Sequence, residues 1–247
     1  MTNAVGPRAV FGVVVPSTNT VVEHDYWGAR IPGVAFRAGS MHIPRPVMDN
    51  DKDFEALLVQ IRASLDVAVR DVLTAEPDRM VMGMSAETFW GGVAGNAAFE
   101  SRLRERTGLP VTTGASSCRA ALRALGCRRI AVFSPYQPVA DREVGRFFTE
   151  AGFDVAAISG LRCPTATDIA RVGPQRILDM VTALDDPSVE AIVQVGTNLS
   201  FVSQAEALEC ELGKPVVAIN AATLWHALRE HGLDDRVPGA GSLLRDH

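Results

Sequence analysis

The segment Gly108-Leu109-Pro110-Val111, followed by Ala121-Leu122-Arg123 and Gly126, recurs as Gly213-Lys214-Pro215-Val216, followed by Ala227-Leu228-Arg229 and Gly232, with one residue inserted between the paired pieces. Upstream, Arg8 and the apolar run to Pro16 match Arg128 and the run to Pro135. A chain that repeats itself this way folds as two similar halves. Within each half, short apolar runs alternate with amphipathic segments, which predicts parallel strands covered by helices on both faces. Strands are expected at 8–15, 34–37, 79–82 and 110–113, and again at 129–133, 155–158, 191–195 and 215–219. Helices are expected at 20–30, 51–74, 96–106 and from 115 to Gly126, then at 139–151, after Gly173-Pro174, at 203–212 and at 221–231. The stripe Phe54, Leu57, Leu58, Ile61, Leu65, Ala68 and Val72 has the 3.6-residue period of a long amphipathic helix.

The expected fold is therefore α/β: two pseudosymmetric, doubly wound, flavodoxin-like lobes. The N-terminal lobe is expected over 1–114, completed by 218–247, and the C-terminal lobe over 115–217. No linker rich in Gly, Ser or Pro separates them, so one cleft should lie between the lobes. Ligands of open parallel sheets bind beyond the carboxyl ends of the strands. Two strands end there in matching breaks: Met80-Val81-Met82 runs into Gly83-Met84-Ser85, and Ile192-Val193-Gln194-Val195 into Gly196-Thr197-Asn198.

Composition removes several classes of function. A net charge of -5 at 247 residues, with Arg102, Arg104 and Arg106 interleaved with Glu, leaves no basic footprint for nucleic acid. The apolar run at 9–15 is too short to span a bilayer and no cleavage pattern follows it, so a cytoplasmic protein without membrane contact is expected. Cys118, Cys127, Cys163 and Cys210 show no CxxC pairing, and no H-E-x-x-H or paired carboxylates are present, so free thiols and no metal are expected. Cys118 sits just inside a predicted helix, where the dipole can lower a thiol pKa, but a buried structural cysteine is the commoner outcome at such a place. The remaining partner expectations are a small molecule and a homo-oligomer.

Several residues near the predicted strand ends can carry chemistry. Ser17, Thr18, Asn19 and Thr20 offer hydroxyl, amide and backbone donors at a helix start, suited to a carboxylate or to plain N-capping. Gly83, Met84 and Ser85 on one side, and Gly196 and Thr197 on the other, can present N–H groups and hydroxyls to an oxyanion. Tyr136 can donate its phenol to developing charge or serve as a contact between domains. Glu87, beside Phe89 and Trp90, is a candidate base if kept dry, or a helix-start carboxylate stabilised by the dipole. His42, in a proline-flanked loop, is the one histidine near a predicted strand end.

The motifs Val15-Pro16-Ser17-Thr18-Asn19-Thr20, Ser134-Pro135-Tyr136, Gly213-Lys214-Pro215-Val216-Val217 and the tail Val237-Pro238-Gly239-Ala240-Gly241-Ser242-Leu243-Leu244, with the segment 108–126, resemble the aspartate/glutamate racemase superfamily. Within it, the chain is similar to the branch of maleate cis-trans isomerases and arylmalonate decarboxylases. The resemblance implies two pseudosymmetric lobes, a site between them that needs no cofactor, and a small carboxylic acid as substrate. It implies carboxylate contacts from Ser17 and Asn19, and an oxyanion position formed by Ser85, Tyr136 and Thr197. From their place at the strand ends, Gly83, Met84, Gly196, Asn198 and His42 are also expected around the substrate. In the racemases and isomerases two cysteines face each other across the substrate, and the decarboxylases keep the second as proton donor. By this resemblance those positions fall on Gly83 and Gly196, so both family cysteines are missing here.

The expected activity is accordingly isomerisation or decarboxylation through an enolate-like intermediate, with the two-cysteine route closed. Ser85, Tyr136 and Thr197 would stabilise charge while Glu87, His42 or water moves the proton. Two alternatives stay open: a hydrolase or hydratase in which Glu87 activates water, and a non-catalytic protein that binds a small acid.

Overall fold

The computed structural model describes residues 3–247. Two four-stranded sheets, parallel throughout, form its frame. In the first, β1 (Ala9–Pro16) lies between β2 (Val34–Met41) and β3 (Arg79–Met82), with β4 (Val111–Thr112) outside β3. In the second, β5 (Arg129–Ser134) lies between β6 (Asp154–Gly160) and β7 (Ala191–Gln194), with β8 (Val216–Ala218) outside β7. The two strand orders are the same, as the sequence repeat requires. The central strands of both sheets are buried on both faces, which is why they read as continuous apolar runs without alternation.

The helices in chain order are α1 (Val21–Gly28), α2 (Asp51–Leu73), α3 (Ala86–Phe89), α4 (Gly92–Thr107), α5 (Gly114–Ala124), α6 (Pro138–Glu150), α7 (Pro174–Leu184), α8 (Val202–Leu212), α9 (Ile219–Glu230) and α10 (Ser242–Asp246). Helix α2 starts where Asn50 accepts the amide of Asp53 at 3.0 Å, and its apolar stripe packs on β1 and β2. Full burial of each Leu, Ile or Val on that stripe contributes about 1.5–3 kcal/mol. Helix α9, although it follows β8, packs on β3 and β4 of the first sheet, and α5 packs both on α9 and on β8. This exchange of helices holds the two sheets together.

Three elements differ from the sequence expectation. Strand β2 continues to Met41 instead of ending near Arg37, because it pairs with β1 residue for residue from Ala9↔Val34 to Pro16↔Met41. An edge strand tolerates the polar and small residues Arg37, Gly39 and Ser40. The helix expected at 96–106 begins at Gly92, and the short α3 precedes it; Gly91 and Gly92 have φ of +78° and +67° and turn the chain between the two. The tail folds as α10 against α9, a helix the sequence reading does not anticipate.

A bridge crosses from one lobe to the other near the cleft. Val47 pairs antiparallel with Thr165, the amide of Met48 donates to Pro164 O at 2.8 Å, and that of Ala166 donates to Pro46 O at 2.7 Å. The loop after β2 is thereby tied to the loop after β6.

Candidate active site

Strands β1, β3, β5 and β7 deliver four loops from their carboxyl ends to one place. Together they line a cleft of about 500 Å3, its mouth included. Its polar floor is Thr18 and Asn19 after β1, Ser85 after β3, Tyr136 after β5, and Thr197 and Asn198 after β7. Its walls are apolar: Phe54, Leu57 and Ile61 from α2, Ile43 and Met48 from the loop before it, and Ala166 and Ile169 from the opposite lobe. No Lys, Arg, His, Asp or Glu is among the lining residues.

At the floor, Ser85 Oγ and the Tyr136 hydroxyl hydrogen-bond to each other from different sheets, and both side chains are buried. The amide of Thr197 donates to Ser85 Oγ at 3.3 Å, and the amide of Ala86 points at the Tyr136 oxygen. Two hydroxyls thus receive two backbone N–H groups while sharing one bond between them. One O–H hydrogen remains for a ligand oxygen in the cleft. Burial, more than any neighbour, pushes the Tyr136 phenol far above its ordinary pKa, so it stays a donor at every physiological pH.

Other contacts hold these groups in place. Thr197 Oγ1 donates to Gly83 O and accepts from Asn19 Nδ2, both at 3.1 Å. Asn19 Oδ1 accepts the amides of Val21 and Val22 at 3.0 Å each and so caps α1. Asn198 donates to Ala166 O at 2.9 Å and to Thr18 O at 3.2 Å, and accepts the amide of Thr20 at 3.1 Å, which joins three loops. The backbone of Tyr136 is fixed by Ser134 Oγ, which accepts its amide at 3.0 Å and donates to Asp141. Arg162 bonds both Asp141 and the Tyr136 carbonyl. Burial raises the Asp141 pKa, opposed by Ser134 and Arg162. Phe54 meets the Tyr136 ring edge-on, with centroids 5.2 Å apart.

The sequence-predicted residues divide into two groups. Asn19, Met84, Ser85, Tyr136, Gly196, Thr197 and Asn198 line the cleft. Ser17, Gly83, Glu87 and His42 do not. Ser17 is exposed, and its Oγ accepts the amide of Ile43 at 3.0 Å. His42 is exposed because strand alternation turns Met41 and Ile43 inward and His42 out. Glu87 is buried but paired: Arg62 Nε reaches Oε1 at 2.9 Å and Oε2 at 3.0 Å, and the guanidinium lies 6.0 Å from the Trp90 ring centroid. Gly83 faces the core, where an added Cβ would come within 2.5 Å of Val15 Cγ1.

Gly196 lines the cleft with φ of +105°, and an added Cβ would sit 2.4 Å from Pro135 Cδ. None of the four cysteines lines the cleft. Cys118 is fully buried and burial pushes its thiol far up, and Cys163 is pushed up to about 11, again by burial. The helix-start argument for a reactive Cys118 therefore fails: desolvation outweighs the dipole.

The apolar walls are what sequence reasoning missed. Phe54, Leu57 and Ile61 read there as core, and only their place at the start of α2, next to the loop that bridges the lobes, distinguishes them from the residues further along the stripe.

A two-lobed α/β chain with a hydroxyl-rich floor between its lobes defines a class of small-molecule enzymes and binding proteins. The profile of the arylmalonate decarboxylase family matches residues 12–244, and the chain belongs to that family. It is 29% identical to the arylmalonate decarboxylase of Bordetella bronchiseptica, over 94% of this chain and 95% of that one. It is 27% identical to the maleate isomerase of Pseudomonas putida, over 94% and 96%. Its fold superposes with a TM-score of 0.88 on a cysteine-to-serine mutant of the Nocardia farcinica maleate cis-trans isomerase holding a covalently bound succinylcysteine intermediate. That match has 25% identity and covers 97% and 99% of the two chains. Among the described residues no helix is long and apolar enough to cross a membrane, and no cluster of side chains could hold a metal ion.

Proposed function

We propose that this protein is a cofactor-independent enzyme that decarboxylates a small malonate-type acid bearing an apolar substituent, through an enolate-like intermediate. The observation that carries the reading is the Ser85–Tyr136 hydroxyl pair, backed by the Thr197 amide, at the foot of an apolar cleft. As carbon dioxide leaves, charge builds on the oxygens of the remaining carboxyl. Preorganised hydroxyl and N–H donors in a dry site stabilise such charge. The walls formed by Phe54, Leu57, Ile61 and Ile169 would take the substituent.

The lobes are taken as 1–114 with 218–247, and 115–217, so that each supplies one of the two hydroxyls. Ser85 and Tyr136 meet the oxyanion with the one O–H hydrogen their mutual bond leaves free, Thr197 backs Ser85 Oγ through its amide, and Asn19 and Asn198 position the loops around them. The proton that completes the reaction comes from water in the space beside Gly196. Isomerisation by thiolate addition to a cis-alkene has no nucleophile on these walls, so maleate is expected to be inert. Glu87 is held by Arg62 away from the lining, which argues against hydrolysis with Glu87 as base.

A second reading, a silent sensor of small acids, is favoured by one observation: among the described residues Tyr136 is the single titratable side chain on the lining. Proton NMR of the protein incubated with aryl- and alkyl-substituted malonates and with maleate separates the two. Loss of carboxyl from a substituted malonate with maleate unchanged is the expected outcome. Thermal stabilisation by malonates without any turnover would replace the enzyme reading by the sensor.

A further inference from the structure

A second cavity, of about 570 Å3 with its mouth, lies between α1, the start of α8, α9 and the tail segment at 237–244. Asn220, 2% exposed, stands between it and the active-site loop: Nδ2 donates to Thr197 O at 3.0 Å and to Asp25 Oδ2 at 2.8 Å. Both partners are acceptors, which fixes the orientation of the amide. Its Oδ1 is buried and has no hydrogen-bond partner among the described residues. A buried carbonyl left unpaired is costly, so this oxygen calls for a hydrogen-bond donor.

Beside it is the carboxylate of Asp25, which also lines the cavity. Burial raises its pKa to about 6, against the hydrogen bond from Asn220, and it is ionised at neutral pH. The cavity wall thus carries one carboxylate, with the unpaired Asn220 Oδ1 buried on the neighbouring side chain. Around them Val202, Leu224, Val237 and Leu244 are apolar, and Ser203 adds one hydroxyl. His24 and Tyr26 are the other titratable groups on the wall, and α8, α9 and the tail contribute none. Ca2+ or Mg2+ does not suit a site with one carboxylate and aliphatic walls, because each takes about six or more oxygen ligands. An ammonium group with a short apolar body suits it, since one N–H donor meets the carboxylate, another would satisfy Asn220 Oδ1 after a small shift of that side chain, and its carbons cover the aliphatic side.

We propose that this cavity is a second binding site, for a small primary ammonium compound, with Asp25 supplying the charge and Asn220 Oδ1 the second acceptor. Calorimetric titration of the full chain with n-butylammonium chloride at pH 8, with n-butanol and potassium chloride as controls for shape and salt, tests it. Saturable binding of the ammonium and none of the alcohol is expected. Binding should weaken about tenfold at pH 5, where only about a tenth of the Asp25 carboxylate is ionised. Asp25→Asn keeps an acceptor for Asn220, so the fold is expected to survive, and its affinity should fall at least about tenfold, as expected when a charge-assisted bond becomes neutral. Binding of butanol as tight as that of butylammonium, affinity unchanged at pH 5 or in Asp25→Asn, or no saturable binding in the millimolar range would each overturn the proposal. The pH comparison on the unaltered protein decides the matter even if the variant misfolds.

Discussion

Ser85 Oγ and the Tyr136 hydroxyl share a hydrogen bond although they lie 51 residues apart and extend from different sheets. The bond exists only while the lobes hold their relative position, so the floor of the cleft depends on the packing of α5 and α9 and on the bridge between residues 47 and 165. Chemistry at this floor and docking of the lobes are physically coupled.

Thr197→Val tests that coupling. The substitution keeps the shape and removes the hydroxyl that donates to Gly83 O and accepts from Asn19 Nδ2. Two buried partners lose a bond, which should cost about 1–3 kcal/mol. Thermal denaturation should show a fall in Tm of roughly 2–4 °C per kcal/mol for a chain of this size. An unchanged Tm would mean that this hydroxyl does not join the loops.

Glu87→Gln should leave turnover within about threefold of the parent, because the carboxylate faces Arg62 and not the cleft. Arg62 is 44% exposed and the pair is partly screened, so stability should fall by no more than about 1 kcal/mol. A loss of activity beyond about a hundredfold would restore Glu87 as the base and favour hydrolysis.

Gly196→Ala is expected to destabilise strongly. Its φ of +105° costs an L-residue about 1–3 kcal/mol, and the new Cβ meets Pro135 Cδ at 2.4 Å. A thiol at this position would meet the same obstruction. The double variant Gly196→Ala with Pro135→Ala should recover the steric part of the loss but not the backbone part. Denaturant unfolding of the three proteins checks this. Equal stability of the single and double variants would refute the contact with Pro135.

The fold and the floor were readable in the sequence for physical reasons. Strands buried on both faces announce themselves as apolar runs, and their carboxyl ends in a doubly wound sheet all point one way, so the sequence alone brings Ser85, Tyr136 and Thr197 to one end of the sheets. Side-chain direction was not readable. Ser17, Glu87 and His42 belong to the right loops, but one more residue along a strand or turn reverses the face, and Glu87 is claimed by Arg62 from a helix 25 residues earlier. The walls were hidden because Leu57 and Ile61 follow the same periodicity as the core residues of α2. Asn220 carried no signal at all, since its importance lies in two acceptors distant in sequence.

Asp25 gives a pH-dependent prediction. Its folded pKa of about 6 stands above the ordinary 3.8, chiefly through burial, so the folded state holds the proton more tightly than the unfolded chain. Stability should therefore fall as pH rises from about 4 to about 6 and stay reduced above that. Asp25→Asn removes the buried charge and should raise stability at pH 8 by up to about 3 kcal/mol, with the gain vanishing below about pH 4. Tm values of the two proteins across pH 3.5 to 8 check it, and a gain that is constant with pH would contradict it.

The most direct measurement is the initial rate of carbon dioxide release from a 2-aryl-2-methylmalonate by the parent protein, Ser85→Ala and Tyr136→Phe, each confirmed as folded. The account predicts release by the parent and a loss of about 10²–10³ in each variant, the usual effect of removing one oxyanion donor. No release by the parent, or equal rates in all three proteins, would contradict it.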